Sequence, residues 1–154
     1  MPADILVKLY GLPPCPAVPD GVVLRHPLPH ERSAIRMWIS REFSDSWADE
    51  FDTAFCSTPP TAWVLQRGGE LLGFACYDVT ARGFFGPTGV KESEQGQGFG
   101  RLLLLASMHA LRQLGYGYAI IGSAGPLDFY LRTLPAMLIP DSYPGIYPQP
   151  VDKY

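Results

Sequence analysis

Gln95-Gly96-Gln97-Gly98-Phe99-Gly100-Arg101 stands between a strand-like run, Phe84 to Val90, and a long apolar helical pattern, Leu102 to Leu114. A loop of this composition opens a helix with bare backbone N–H groups. The first N–H groups of any helix lack internal partners, and the helix dipole adds roughly half a positive charge at that end. Glycines at alternate positions remove the side chains that would hold a large anion away. The stretch therefore reads as a phosphate or pyrophosphate site at a helix N-terminus.

Spacing separates the loops that use this physics. A P-loop needs Lys and then Ser or Thr after its last glycine; here Arg101 and Leu102 follow Gly100. A dinucleotide fold needs G-x-G-x-x-G; Gly96 and Gly98 fit, but the third position is Arg101. What remains is Gln-x-x-Gly-x-Gly, carried by Gln95, Gly98 and Gly100. That pattern, following a strand that ends in Val90, resembles the pyrophosphate loop of the GNAT superfamily of N-acetyltransferases, which bind acetyl-CoA. The competing reading is a glycine-rich turn before a core helix.

Composition narrows the rest. The chain has 154 residues, 47% of them apolar and 18% charged, which suits one globular domain with a sizeable core. A net charge of −3 argues against a nucleic-acid partner. No apolar run approaches the roughly 20 residues of a membrane span, and Met1-Pro2-Ala3-Asp4 lacks the parts of a signal peptide. Cys15, Cys56 and Cys76 are odd in number and widely spaced. They read as reduced thiols of a cytoplasmic protein, and no metal pattern is present. Sixteen prolines cluster at Pro13 to Pro19 and Pro140 to Pro150. They set off an N-terminal extension at about 1–20 and a Pro-rich tail at about 140–154 from a single domain.

Periodicity gives the elements. Ile5 to Tyr10 is a short strand, placed at an edge, and Val22 to Arg25 is the next. His30 to Phe43 and Ser44 to Phe55 are helices. Thr61 to Gln66 and Glu70 to Asp78 form a hairpin across Arg67-Gly68-Gly69. Phe84 to Val90 contains Gly86, Pro87 and Gly89, so a bulge or a splay is expected there. After the main helix and its C-terminal Gly115 come a strand, Tyr116 to Ile121, and a short helix from Gly125-Pro126 to Leu134. Met137 to Ile139 and Gly145 to Tyr147 are read as two closing strands.

This order, from about Val22 onward, is similar to that of a GNAT domain. The resemblance implies an α/β (α+β) fold, with a mixed, mostly antiparallel sheet flanked by helices and a splayed strand pair holding the cofactor. It implies an acetyl-CoA-dependent N-acetyltransferase acting on a primary amine, expected to be a small molecule. The net negative charge mildly favours a cationic acceptor. The cofactor contacts implied are the backbone of Gln95, Gly96, Gln97, Gly98, Phe99, Gly100 and Arg101, with the Val90 N–H polarising the thioester carbonyl. Tyr130 falls where the family places a general acid, and a phenol can protonate a departing thiolate. Asp78, ending a strand, is the candidate base, with Glu50 and Glu92 behind it. Trp38, Trp47 and Phe51 read first as core, then as walls of an acceptor cleft. The chain departs from the family pattern at Glu92, where Pro is common, and at Gly122-Ser123-Ala124-Gly125, where an Asn commonly contacts the cofactor. Rival readings are a non-catalytic CoA-sensing domain on the same fold, an enzyme for longer acyl-CoA, and a plain α/β domain binding inorganic anions. The sequence does not fix the oligomeric state; a homodimer is one reading, in which the Pro-rich arms and the first strand cover a neighbour's sheet edge.

Overall fold

The computed structural model describes residues 2–152. Seven strands form one sheet in the order β2-β3-β4-β5-β6-β1-β7. They are β1 (Ala3–Lys8), β2 (Val22–Arg25), β3 (Ala62–Arg67), β4 (Glu70–Tyr77), β5 (Phe84–Val90), β6 (Tyr118–Ala124) and β7 (Ala136–Leu138). Every neighbouring pair is antiparallel except β5 and β6. Four helices flank the sheet: α1 (Arg32–Glu42), α2 (Asp45–Thr53), α3 (Phe99–Gln113) and α4 (Leu127–Thr133). The mixed, helix-flanked sheet expected from the sequence is the observed one.

Side-chain alternation along the strands divides the interior into two cores. On one face Val64, Phe74 and Cys76 pack against Ile35, Ile39, Ala48 and Phe51 of α1 and α2. On the other face Leu65, Ala75, Phe85 and Ile121 pack against the leucine-rich side of α3 and against Tyr130 of α4. Local chemistry fixes the ends of these helices. Ser44 caps α2 by accepting a hydrogen bond from the Trp47 N–H. At the end of α3 the Gly115 N–H donates to the Arg112 carbonyl and the Tyr116 N–H to that of Leu111. Gly115 takes a φ of 104° there, the left-handed step of a Schellman motif.

The first strand is not at an edge. β1 pairs with β6 on one side and β7 on the other, and Ile5 and Val7 are fully buried. It occupies the position beside β6 on the side away from β5. Gly145 to Tyr147 consequently has no strand partner and runs as irregular backbone, with Gly145 at φ 69°. Prolines at 140, 144, 148 and 150 also strip that segment of the donors a ladder needs. Two smaller differences matter for the site. α3 begins at Phe99, three residues ahead of the apolar pattern, and β6 continues through Ala124. The stretch Gly122 to Ala124, beyond the strand end expected at Ile121, is therefore strand.

Candidate active site

β5 and β6 run side by side but pair only at Phe84↔Ile120 and Phe85↔Ile121. Beyond these residues the strands diverge, at the point where Gly86 takes a φ of 112° and Pro87 supplies no donor. The divergence opens a cavity of about 1010 Å³. It runs from the glycine loop at the start of α3, past β5 and the end of β6, to Trp47 and Glu50 of α2.

The edge of β5 facing this gap is unpaired where it matters. Gly73 lies opposite Val90, and the Lys91 N–H donates to the Leu72 carbonyl at 2.8 Å. In an antiparallel ladder that arrangement makes Gly73 and Val90 a non-hydrogen-bonded pair, whose N–H and C=O point away from each other. The Val90 N–H therefore faces the gap. Its carbonyl accepts from the Gln95 side-chain amide at 3.2 Å, which ties the loop to the strand end. An extended, amide-bearing chain can pair with such an edge as an added strand.

The loop leaves the start of α3 open to the cavity. Gly98 is the N-cap of α3, with no side-chain cap and no acidic residue in the first turn. Gly96 and Gly98 both take φ 83°, a conformation that glycine adopts without strain. Gly100 is helical, yet a Cβ there would meet no protein atom within 4 Å. Packing within the chain gives no reason for a glycine at that position, which lines the cavity. Arg101 lines the same end. Glu94, also at this end, is held by Arg67 at 3.0 and 3.3 Å, so its charge is compensated. Of the cofactor residues expected from sequence, Val90, Gln95, Gly96, Gly98, Phe99, Gly100 and Arg101 line the cavity. Gln97 does not; its amide turns to the Glu94 carboxylate at 2.8 Å.

Tyr130 reaches the cavity from α4. Its ring is buried, edge-on to Phe85 at 6.5 Å and Phe129 at 5.2 Å. Burial raises the pKa of its phenol, so the hydroxyl stays protonated and able to donate. Asp78 lies elsewhere. It takes a φ of 62° in the β4–β5 connection and accepts from the Gly83 N–H and the Tyr116 hydroxyl, each at 2.7 Å. It organises that turn and does not line the cavity. Glu92 lies in a short 3₁₀ turn after β5 and is likewise outside the cavity. Glu50 is the carboxylate that α2 brings to it, with the Thr80 hydroxyl donating to one oxygen. Of the three early aromatics, Trp38 and Phe51 are core, whereas Trp47 lines the cavity.

Two contributors were not legible as site residues. Tyr147, in the Pro-rich tail, lines the cavity, and its hydroxyl would be 2.7 Å from a Cβ at Gly122. Asp4 of β1 positions both the tail and the end of β6. Its carboxylate accepts from the Ser123 N–H at 2.8 Å, and its backbone N–H donates to the Ser142 hydroxyl at 2.9 Å. The signal available for Tyr147 was an aromatic between Ile146 and Pro148 in a proline-rich stretch. Asp4 carried no local signal, because its partners lie more than a hundred residues away.

Among the described residues no helix is long and apolar enough to cross a membrane, and no group of three or more His, Cys, Asp or Glu could hold a metal ion.

Comparison with known proteins agrees with this geometry. A comparison with curated proteins returns no sequence match. In fold the chain is similar to a GCN5-related N-acetyltransferase of Sphaerobacter thermophilus, with TM-score 0.71, 18% identity, and coverage of 90% of this chain and 50% of that one. It is also similar to the GCN5-related glucosamine N-acetyltransferase region of a fungal multi-domain GH3 β-N-acetylglucosaminidase, with TM-score 0.69, 15% identity, and coverage of 90% and 20%. A GNAT family N-acetyltransferase of Escherichia coli, solved in complex with CoA, matches with TM-score 0.50, 23% identity, and coverage of 66% and 61%. The chain thus spans from a fifth to about three fifths of the length of these solved chains. The model of the Acetyltransferase (GNAT) family matches residues 32–130, a stretch that takes in both early helices, the splayed strands, the glycine loop and Tyr130. Acetyl-CoA is the co-substrate of that family's reaction, and this chain belongs to the GNAT acetyltransferase family.

Proposed function

We propose that the protein is an N-acetyltransferase that moves an acetyl group from acetyl-CoA directly to a primary amine of a small acceptor, in the cytoplasm. The observation that carries this reading is the junction of three features in one cavity. These are an open helix N-terminus, an unpaired strand edge ending at Val90, and a buried, protonated Tyr130. The three cysteines, none in a disulfide, agree with a reducing compartment.

The residues fit the donor. The N–H groups of the loop and the Arg101 guanidinium suit the pyrophosphate. The free edge of β5 suits the amides of the pantetheine arm. Acetyl-CoA supplies the acetyl group as a thioester, whose carbonyl carbon takes the amine lone pair as the carbon–sulfur bond breaks. The Val90 N–H, aimed into the gap, stabilises the charge that builds on the carbonyl oxygen. Tyr130 gives its phenolic proton to the departing sulfur. Glu50, which lines the cavity where Asp78 does not, is the better placed of the two carboxylates to receive a proton from the amine.

Calorimetric titration with acetyl-CoA, CoA and inorganic phosphate tests the site, and an amine screen with thiol detection tests the reaction. Acetyl-CoA binding no tighter than phosphate would remove the reading. Tight CoA binding without turnover on any amine would favour a CoA-sensing domain. A preference for longer acyl-CoA would change the donor.

A further inference from the structure

The sheet separates the two charged ends of the cavity. Ile121 belongs to the core shared with α3, so by alternation Gly122 looks to the opposite face. There it meets Phe84 and the hydroxyl of Tyr147. Gly89 looks to the same side, towards Phe43 at the end of α1. This is the face of α1 and α2, from which Trp47 and Glu50 enter the cavity. The pyrophosphate cradle and Arg101 stand at the start of α3, the helix that packs on the other face.

Glu50 differs from the other carboxylate that lines the cavity. Glu94 is paired with Arg67. Glu50 has the Thr80 hydroxyl as a donor, and among the described residues no ion pair engages it. A half-buried, uncompensated carboxylate favours a cation beside it. The neighbouring walls suit an organic cation. Trp47 is fixed by Phe43 at 5.3 Å and Phe74 at 6.1 Å, and ring faces attract ammonium groups. Tyr147 is carried in by the tail, which Asp4 anchors through Ser142 and beside Gly145. Burial raises the pKa of the Tyr147 phenol, and the charges of Glu50 and Asp4 add to this, as expected for a ring within the field of both carboxylates.

We propose that the acceptor enters on the α1/α2 face as a primary ammonium on an apolar body, held by the Glu50 carboxylate between the rings of Trp47 and Tyr147. The Pro-rich tail is then one wall of the acceptor site. This rests on the acetyltransferase reading above and names the substrate class for it.

The test is calorimetric titration of the CoA-saturated full chain with 2-phenylethylamine and with its uncharged isostere 2-phenylethanol. Wild type, Glu50→Gln and Tyr147→Leu are compared, with CoA affinity and melting temperature as controls. The amine is expected to bind wild type about tenfold or more tighter than the alcohol, the worth of one charge-assisted contact. Glu50→Gln should abolish that difference, and Tyr147→Leu should weaken both ligands, with CoA affinity held within about twofold. Equal binding of amine and alcohol by wild type, or discrimination surviving in Glu50→Gln, would overturn the inference while leaving the acetyltransferase reading intact. Failure to bind CoA would overturn both.

Discussion

The Asp4 carboxylate accepts a hydrogen bond from the Ser123 N–H at 2.8 Å, joining the first strand to the end of β6 where it borders the cavity. Ser123 takes a φ of 49°, a left-handed conformation that costs a non-glycine residue free energy unless its surroundings hold it. Asp4 is one such hold. Asp4→Ala should therefore destabilise the fold by about 1–3 kcal/mol through the stranded N–H and should also weaken acetyl-CoA binding. Urea denaturation and calorimetry check the two effects. Loss of stability with unchanged binding would show that the end of β6 is held by other means.

Gly100 separates folding from binding. Its backbone is helical and its Cβ direction is open, so a side chain there has no intramolecular clash. Gly100→Leu should leave the melting temperature unchanged or raise it, by up to about 1 kcal/mol in stability. Acetyl-CoA affinity should fall at least about tenfold, because the side chain takes the anion's place. Unchanged affinity would mean that the cradle holds no ligand.

Tyr130→Phe keeps the ring and removes the proton. Turnover should fall about a hundredfold, with acetyl-CoA affinity within about twofold. In the proposed role the phenol acts in its protonated form, and burial raises its pKa. Activity lost through its ionisation should therefore appear only above about pH 10, the ordinary tyrosine value. A pH–rate profile of both proteins reads this directly; normal turnover by the variant would remove Tyr130 from the mechanism.

Gly89 sits under an aromatic ring. A Cβ there would be 2.6 Å from Phe43, which in turn packs on Trp38, Trp47 and Phe74. Gly89→Ala should cost about 1–3 kcal/mol by overpacking and should disturb the Trp47 wall. Denaturation and near-ultraviolet circular dichroism would report the two consequences, and an unaltered spectrum would show that Phe43 yields without moving its neighbours.

Acid stability should depend on Glu31. The Arg25 guanidinium forks onto its carboxylate at 2.7 and 2.6 Å and, with the Leu28 N–H, lowers its pKa to about 2. A lowered pKa contributes stability that is fully present above the ordinary carboxylate range and is lost as pH falls towards 2. Melting temperatures of wild type and Glu31→Gln should differ near neutrality and converge between pH 4 and 2. A constant gap across that window would assign the stability to something other than this pair.

The readable parts of the site were those set by short-range chemistry. Glycine spacing and the helix that follows it exposed the cradle from Gln95 to Arg101, and Gly86-Pro87 marked the splay. Tyr130 was legible only through the family resemblance, which places a tyrosine on the short helix after the core strand. What the sequence hid depends on partners distant along the chain. Asp78 ends a strand and so looked like a cleft residue, but Gly83 and Tyr116 claim it for a turn. Glu50 and Trp47 sit one turn apart on α2, and their helical pattern does not tell a core-facing residue from one at a cavity wall. The placement of β1 could not be read from Ile5 to Tyr10 alone, since a central strand and an edge strand share the same alternation.

β1 pairs Ala3 with Ala124, so its closure joins segments separated by most of the chain. Such a pairing must overcome a large loop-closure entropy and forms slowly relative to local contacts. β2 to β5 and the hairpin between them need no such closure. The β5 side of the cavity can therefore assemble early, while its β6 side gains its outer neighbours only when the earliest segment in the sequence docks. β1, whose partners β6 and β7 lie far along the chain, is therefore expected to dock late, and the tail that carries Tyr147, which lines the cavity, is held in place by its Asp4.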